Sequence, residues 1–142
     1  MAVVTPVAAD VKKLSSGVQT QNGTMEASTS AVQADLVIRN SSGTYVLAVN
    51  TTVDGADIST SGGLALAAAD AGKNVDFVST VGTEVDLGVT LTENAWYVVS
   101  STAGKMEPIA DLSSGDAVQY VGYGNKAGNL IYNPVKTSET KS

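Results

Sequence analysis

The chain has 142 residues, enough for one domain with a real core and little beyond it. It contains no Cys and no His, which removes disulfides, thiolate and imidazole metal ligands, cysteine nucleophiles and histidine general bases. Eight Lys and Arg against 14 Asp and Glu leave a net charge of −6, the wrong sign for coating nucleic acid or an anionic membrane surface.

From the start of the chain, Ala2 to Ala9 is apolar but short, has no basic segment before it and runs into Asp10 and Lys12, so it does not read as a signal peptide. No run approaches the roughly 18 apolar residues of a membrane helix. Residues 12 to 31 are polar and small, with Leu14, Val18 and Met25 as scattered anchors, and residues 1–31 read as an extended arm. The β-rich body is expected over 32–134. It opens with Val32, Ala34, Leu36 and Ile38 alternating with Ala31, Gln33, Asp35, Val37 and Arg39, read as the period-2 pattern of a half-buried strand, and Ser41-Ser42-Gly43 turns it into a second run at Tyr45, Leu47 and Val49.

Leu64 to Leu66 fits a strand end, and Ala67 to Ala71 reads as a short helical turn closed by Gly72. Strands follow at Val75 to Ser79, around Val85 and Leu87, and at Trp96 to Ser100, where alternation puts Trp96 and Tyr97 on opposite faces. After Thr102-Ala103-Gly104 comes Lys105 to Ile109. In the next strand Val118, Tyr120 and Gly122 are expected on one face, with Ala117, Gln119, Val121 and Tyr123 on the other. A Gly124 to Gly128 hairpin leads into Leu130 to Tyr132, Pro134 ends that strand, and residues 135–142 read as a flexible tail. Short β-rich runs with turn signals every 8 to 12 residues define an all-β chain, a single small antiparallel barrel or sandwich.

Little of the inventory carries chemistry. The carboxylate pairs Asp54 with Asp57, Glu84 with Asp86, and Asp111 with Asp116 read as turn residues and solvated strand faces rather than as a general acid and base. Oxygen ligands for calcium at Asp54 and Asp57, with backbone carbonyls, lack the EF-hand spacing. Gly122 and Gly124 precede a strand and not a helix, so they do not form a dinucleotide loop. The chain therefore reads as a non-enzyme with no cofactor and no metal. Trp96, Tyr97, Tyr120, Tyr123 and Tyr132 supply the aromatic faces a sugar would stack on, with Trp96 and Tyr97 divided between core and surface.

Four segments, Gly63-Leu64-Ala65-Leu66-Ala67-Ala68-Ala69-Asp70-Ala71-Gly72-Lys73, Trp96-Tyr97-Val98-Val99-Ser100-Ser101-Thr102-Ala103-Gly104-Lys105, Ile109-Ala110-Asp111-Leu112-Ser113-Ser114-Gly115-Asp116 and Val121-Gly122-Tyr123-Gly124, occur in the order found in capsid decoration, or cement, proteins of tailed bacteriophages. The chain resembles that family over roughly Gly63 to Tyr132. The resemblance implies a structural virion protein, made in the bacterial host cytoplasm. It would bind the major capsid protein on the outer capsid surface, often as a homotrimer, and reinforce contacts between shell subunits. A tail, fibre or host-adhesion module of a phage virion is the alternative. Under the first reading the arm is the expected docking element, through Val3, Val4, Val7, Val11, Leu14, Val18 and Met25. Its removal is expected to leave the body folded.

Overall fold

The computed structural model describes residues 3–15, 20–50 and 58–142. Eleven strands run in chain order: β1 (Lys12–Lys13), β2 (Gln21–Thr24), β3 (Leu36–Arg39), β4 (Tyr45–Leu47), β5 (Gly62–Ala65), β6 (Asn74–Val78), β7 (Thr83–Asp86), β8 (Trp96–Val99), β9 (Met106–Pro108), β10 (Ala117–Gly124) and β11 (Leu130–Thr140). They form two antiparallel sheets. The six-stranded sheet has the order β1-β7-β11-β10-β8-β9 and the five-stranded one β2-β6-β5-β3-β4. The sheets pack face to face as a β-sandwich and do not close into a barrel. Leu36, Ile38, Leu64 and Val78 from one inner face meet Val85, Val99, Val121, Leu130 and Tyr132 from the other. Alternation along each strand supplies this layer, as it does wherever one face of a strand points inward.

The five-stranded sheet is buried on both faces. Its outer side carries Val37, Ala65, Val75 and Phe77, and residues 25–31 and Ala69 lie against them with Met25 fully buried. This changes two sequence expectations. Leu36, Val37 and Ile38 are all buried, so the strand is a continuous apolar run and not a half-solvated one. It also begins only at Leu36, because Val32 to Asp35 is a turn: Asp35 N donates to Val32 O, Val32 N donates to the Asp35 carboxylate, and Ala34 sits at φ 68°. The expected helical turn at Ala67 to Ala71 is likewise absent. Ala69 bridges Ala31 instead, which leaves its backbone paired with the covering segment, and Gly72 has the positive φ of a tight turn. The one α-helical turn among the described residues is Ile58–Ser61, with Ile58 in the main core; 3-10 turns lie at Ala8–Asp10 and Ile109–Asp111.

Both open sides of the sandwich are seamed. On one side Val7 N donates to Leu87 O and Leu14 N to Glu84 O, β1 pairs with β7 and β2 with β6, while Val4 N donates to Met106 O at the far, β9 edge. β1 thus forms the edge of one sheet beside β7, and β2 the edge of the other beside β6. The residues read as a loose arm are edge strands, short and polar because one side of each faces water. On the other side the β8–β9 turn reaches across: Leu36 N donates to Gly104 O, Gly104 N to Ala48 O, and Lys105 Nζ lies 2.7 Å from the carboxylate of buried Asp35. Gly104, at φ 78°, brings its backbone against the Asp35 side chain, where a Cβ would crowd the carboxyl at 3.1 Å.

The expected tail is the second half of β11. Pro134 does not end the strand because Asn133 and Pro134 together oppose Val121, a bulge that leaves the proline where no ladder N–H is needed. Beyond it Val135 pairs with Tyr120, Lys136 with Gln119 and Thr140 with Ala117. Lys141 N then donates to Asp116 O.

Candidate functional site: an aromatic patch on the outer sheet face

The outer face of the six-stranded sheet is built by the cross-strand register. One row runs Ile131, Tyr123, Trp96 over β11, β10 and β8, and the next runs Val135, Tyr120, Val98, Glu107 over β11, β10, β8 and β9. Tyr120 and Tyr123 are three positions apart and in a regular strand would point to opposite faces. They do not, because Tyr97 pairs with Gly122 while the adjoining Val98 pairs with Tyr120, so Val121 is an extra residue in β10. The bulge turns Val121 into the core and restores the next tyrosine to the outside. The expectation that Tyr120 and Tyr123 would be divided between faces is thereby corrected.

The result is a ring cluster. Trp96 meets Tyr120 edge-on with centroids 5.3 Å apart and Tyr123 at a tilt with centroids 5.1 Å apart, arrangements that match the quadrupoles of the rings. All three are half-buried, and a shallow groove of about 320 Å³ opens between Trp96, Tyr120 and Val135, the last 42% exposed. Tyr97 and Tyr132, the other candidates for a stacking platform, are inside. Tyr97 OH accepts from Thr92 N, while the Tyr132 hydroxyl is buried without a partner and burial pushes its pKa up. The opposite placement of Trp96 and Tyr97 holds as expected.

At the β9 end the outer face is covered. Ile109 and Leu112, from the turn after β9, pack on Val98, Val118 and Tyr120. Beneath them Glu107 is fully buried, and neither carboxylate oxygen has a hydrogen bond of good geometry. Burial holds its pKa above the ordinary carboxylate range; the nearby Ser100 hydroxyl opposes that shift, and the charges of Asp111 and Asp116 add to it. A carboxyl whose proton is held more tightly in the folded state stabilises the fold while protonated, and this contribution is lost as pH rises from the ordinary value of 4.5 through the folded one. Glu107→Gln is therefore expected to match the parent in melting temperature near pH 4 and exceed it near pH 8. Parallel melting curves across that range would refute the assignment. Glu84 works in the opposite sense, since Asn129 and Asn125 both donate to its Oε2 at 2.9 Å and hold its pKa low, so the difference between the two proteins is the quantity to follow.

A second surface lies at the β1 edge. There Val7 and Leu14 stay 45% and 41% exposed, while Val4 and Val11 pack against the core. Val3 is half-buried, and Met25 is fully buried on the far sheet. The structure thus separates these expected partner contacts rather than gathering them, and Val18 lies outside the described residues. A polar cleft of about 460 Å³ opens beside the edge, lined among others by Asp10, Lys12, Asp86, Thr90 and Asn129.

Three members of the carboxylate pairs have structural partners. Asp86 accepts from Gly88 N, Asp116 accepts from Asn50 Nδ2, and Glu84 fastens the β10–β11 turn. Asp54 and Asp57 lie outside the described residues. Among the described residues no three Asp or Glu side chains are grouped so as to hold a metal ion. Sequence reasoning missed Glu107 altogether. It also passed over the one signal for the bulge, a glycine inside a strand at Gly122. Comparisons of the chain with protein-family models, curated proteins and solved structures returned no match.

Proposed function

We propose that the chain is a structural protein of a bacteriophage virion that docks on the outer surface of the capsid, contacts the major capsid protein and stabilises the joins between shell subunits, acting as a homotrimer. It would be made in the host cytoplasm and carried on the particle. The observation that supports this reading best is the β1 edge, where Val7 and Leu14 keep apolar side chains exposed on a segment otherwise hydrogen-bonded into the body. A sheet edge with exposed apolar residues is a template for another chain's strand, and an adjoining polar cleft suits side chains from that strand. The segments that resemble decoration proteins agree with it in kind. Gly63 to Lys73 supplies β5 and part of the cover of its sheet, and Trp96 to Lys105 supplies β8 and the seam to Leu36 and Ala48. They are framework, suited to a protein whose task is to hold shape on a surface.

The test is the copy number of the chain in purified particles, by quantitative mass spectrometry against the major shell protein. A ratio comparable to that of the shell protein is expected. A small fixed number per particle would move the chain to the tail, the second reading, which the half-exposed aromatic cluster favours because host adhesion needs a ligand-facing surface. Absence from particles would overturn both.

A further inference from the structure

We propose that the groove between Trp96, Tyr120 and Val135 binds the pyranose ring of a neutral saccharide. This inference does not rest on the virion reading. The bulge at Val121 and the tight backbone at Gly122 place three aromatic rings on one face of the sheet, where regular alternation would place two. The negative faces of such rings attract the C–H side of a sugar, and the burial of that apolar side is the main gain.

Three features choose this occupant. Among the described residues no charged side chain lines the groove, and the chain carries a net charge of −6, so an anionic ligand is disfavoured and a neutral one is not. The groove is small. At about 320 Å³, bounded among the described residues by Trp96, Tyr120 and Val135, it is of the size that small-molecule sites have. The rim is polar where sugar hydroxyls need it. The hydroxyls of Tyr120 and Tyr123, which make no hydrogen bond with the described residues, supply it.

Trp96 is the only tryptophan in the chain, so the emission of the full-length protein reports on this groove alone. Titration with cellotriose, maltotriose and the trisaccharide of N-acetylglucosamine is expected to give a saturable shift in Trp96 emission with at least one of them, at a dissociation constant of about 1 mM or tighter. Val135→Glu keeps Trp96 as reporter and alters a side chain outside the core, and it is expected to weaken that binding at least about tenfold. Circular dichroism checks its fold. Should that variant melt early, Tyr123→Leu, on the other side of Trp96, takes its place and is expected to weaken binding likewise.

Absence of a saturable change with all three sugars up to about 20 mM would overturn the proposal. So would a response that Val135→Glu and Tyr123→Leu leave unchanged, which would put the sugar elsewhere. A shift that follows protein concentration without sugar would mean that a second copy covers the groove, and would overturn it as well.

Discussion

A chain lacking residues 1–30 is expected to lose its cooperative unfolding transition. The deletion removes Met25, whose fully buried side chain is worth about 2–5 kcal/mol when truncated to alanine in a core. It also strips Val4 and Val11 from the main cluster and removes an edge strand from each sheet, β1 and β2. Domains of this size keep only about 5–15 kcal/mol of net stability, so these losses together exceed what the remaining body has in reserve. The newly bared β6 and β7 edges would favour association as well. The check is a circular dichroism melt of the truncated chain beside the full one. A sigmoidal transition within about 5 °C of the parent would show that the segment is an ornament rather than a seam.

Gly122→Ala is expected to be among the most damaging single methyl additions in this protein. A Cβ at this position would stand 2.1 Å from Ile131 O and 3.0 Å from Ile131 C, both backbone atoms of the neighbouring strand, so no side chain can swing aside to relieve the contact. β11 must move off β10, or the bulge must dissolve and send Tyr123 toward the core. Overpacking of this kind costs about 3 kcal/mol, which for a chain of this length lowers the melting temperature by about 10 °C. The same variant is expected to change Trp96 emission in the folded state, since the ring that pairs with it is displaced. A melting temperature within about 2 °C of the parent with unchanged emission would mean that the strands are looser here than the register implies.

The parts of the fold that were legible in the sequence are those where one strand face meets the core and the other meets water. Val75 with Phe77, Val85 with Leu87, and Trp96 against Tyr97 all follow from alternation. Where a strand is covered on both sides, as at Leu36 to Ile38, alternation ceases to be informative, and the reading drew the strand four residues too early. Edge strands escaped for the opposite reason. β1 and β2 contribute almost no apolar pattern, and their place is set by backbone hydrogen bonds that any polar residue can make. Pro134 misled because a bulge, invisible in composition, removes the need for its missing N–H. The aromatic patch was half legible. Its residues were named, but the grouping depends on one extra residue in β10, which shifts the phase of everything after it.

The place of β11 has a consequence for the order in which the molecule is made. It is the last strand along the chain, yet it sits in the interior of its sheet, between β7 and β10, and β7 in turn holds β1 near the opposite end of the sequence. During synthesis the five-stranded sheet is complete once residue 78 has emerged, whereas the six-stranded one has a gap at its middle until residues 130–140 arrive. Until then β7 has no neighbour on one side, and β8 to β10 form a separate ribbon with its inner face bare. Closure requires β11 to meet β7 across the whole of β8 to β10, with Leu130 opposite Val85 and Tyr132 opposite Thr83, which is slow because the loop entropy must be lost before the contacts form. A nascent chain stalled before residue 130 is therefore the species most exposed to strand addition by its neighbours, and slowing the ribosome there would cost soluble yield more than slowing it anywhere earlier.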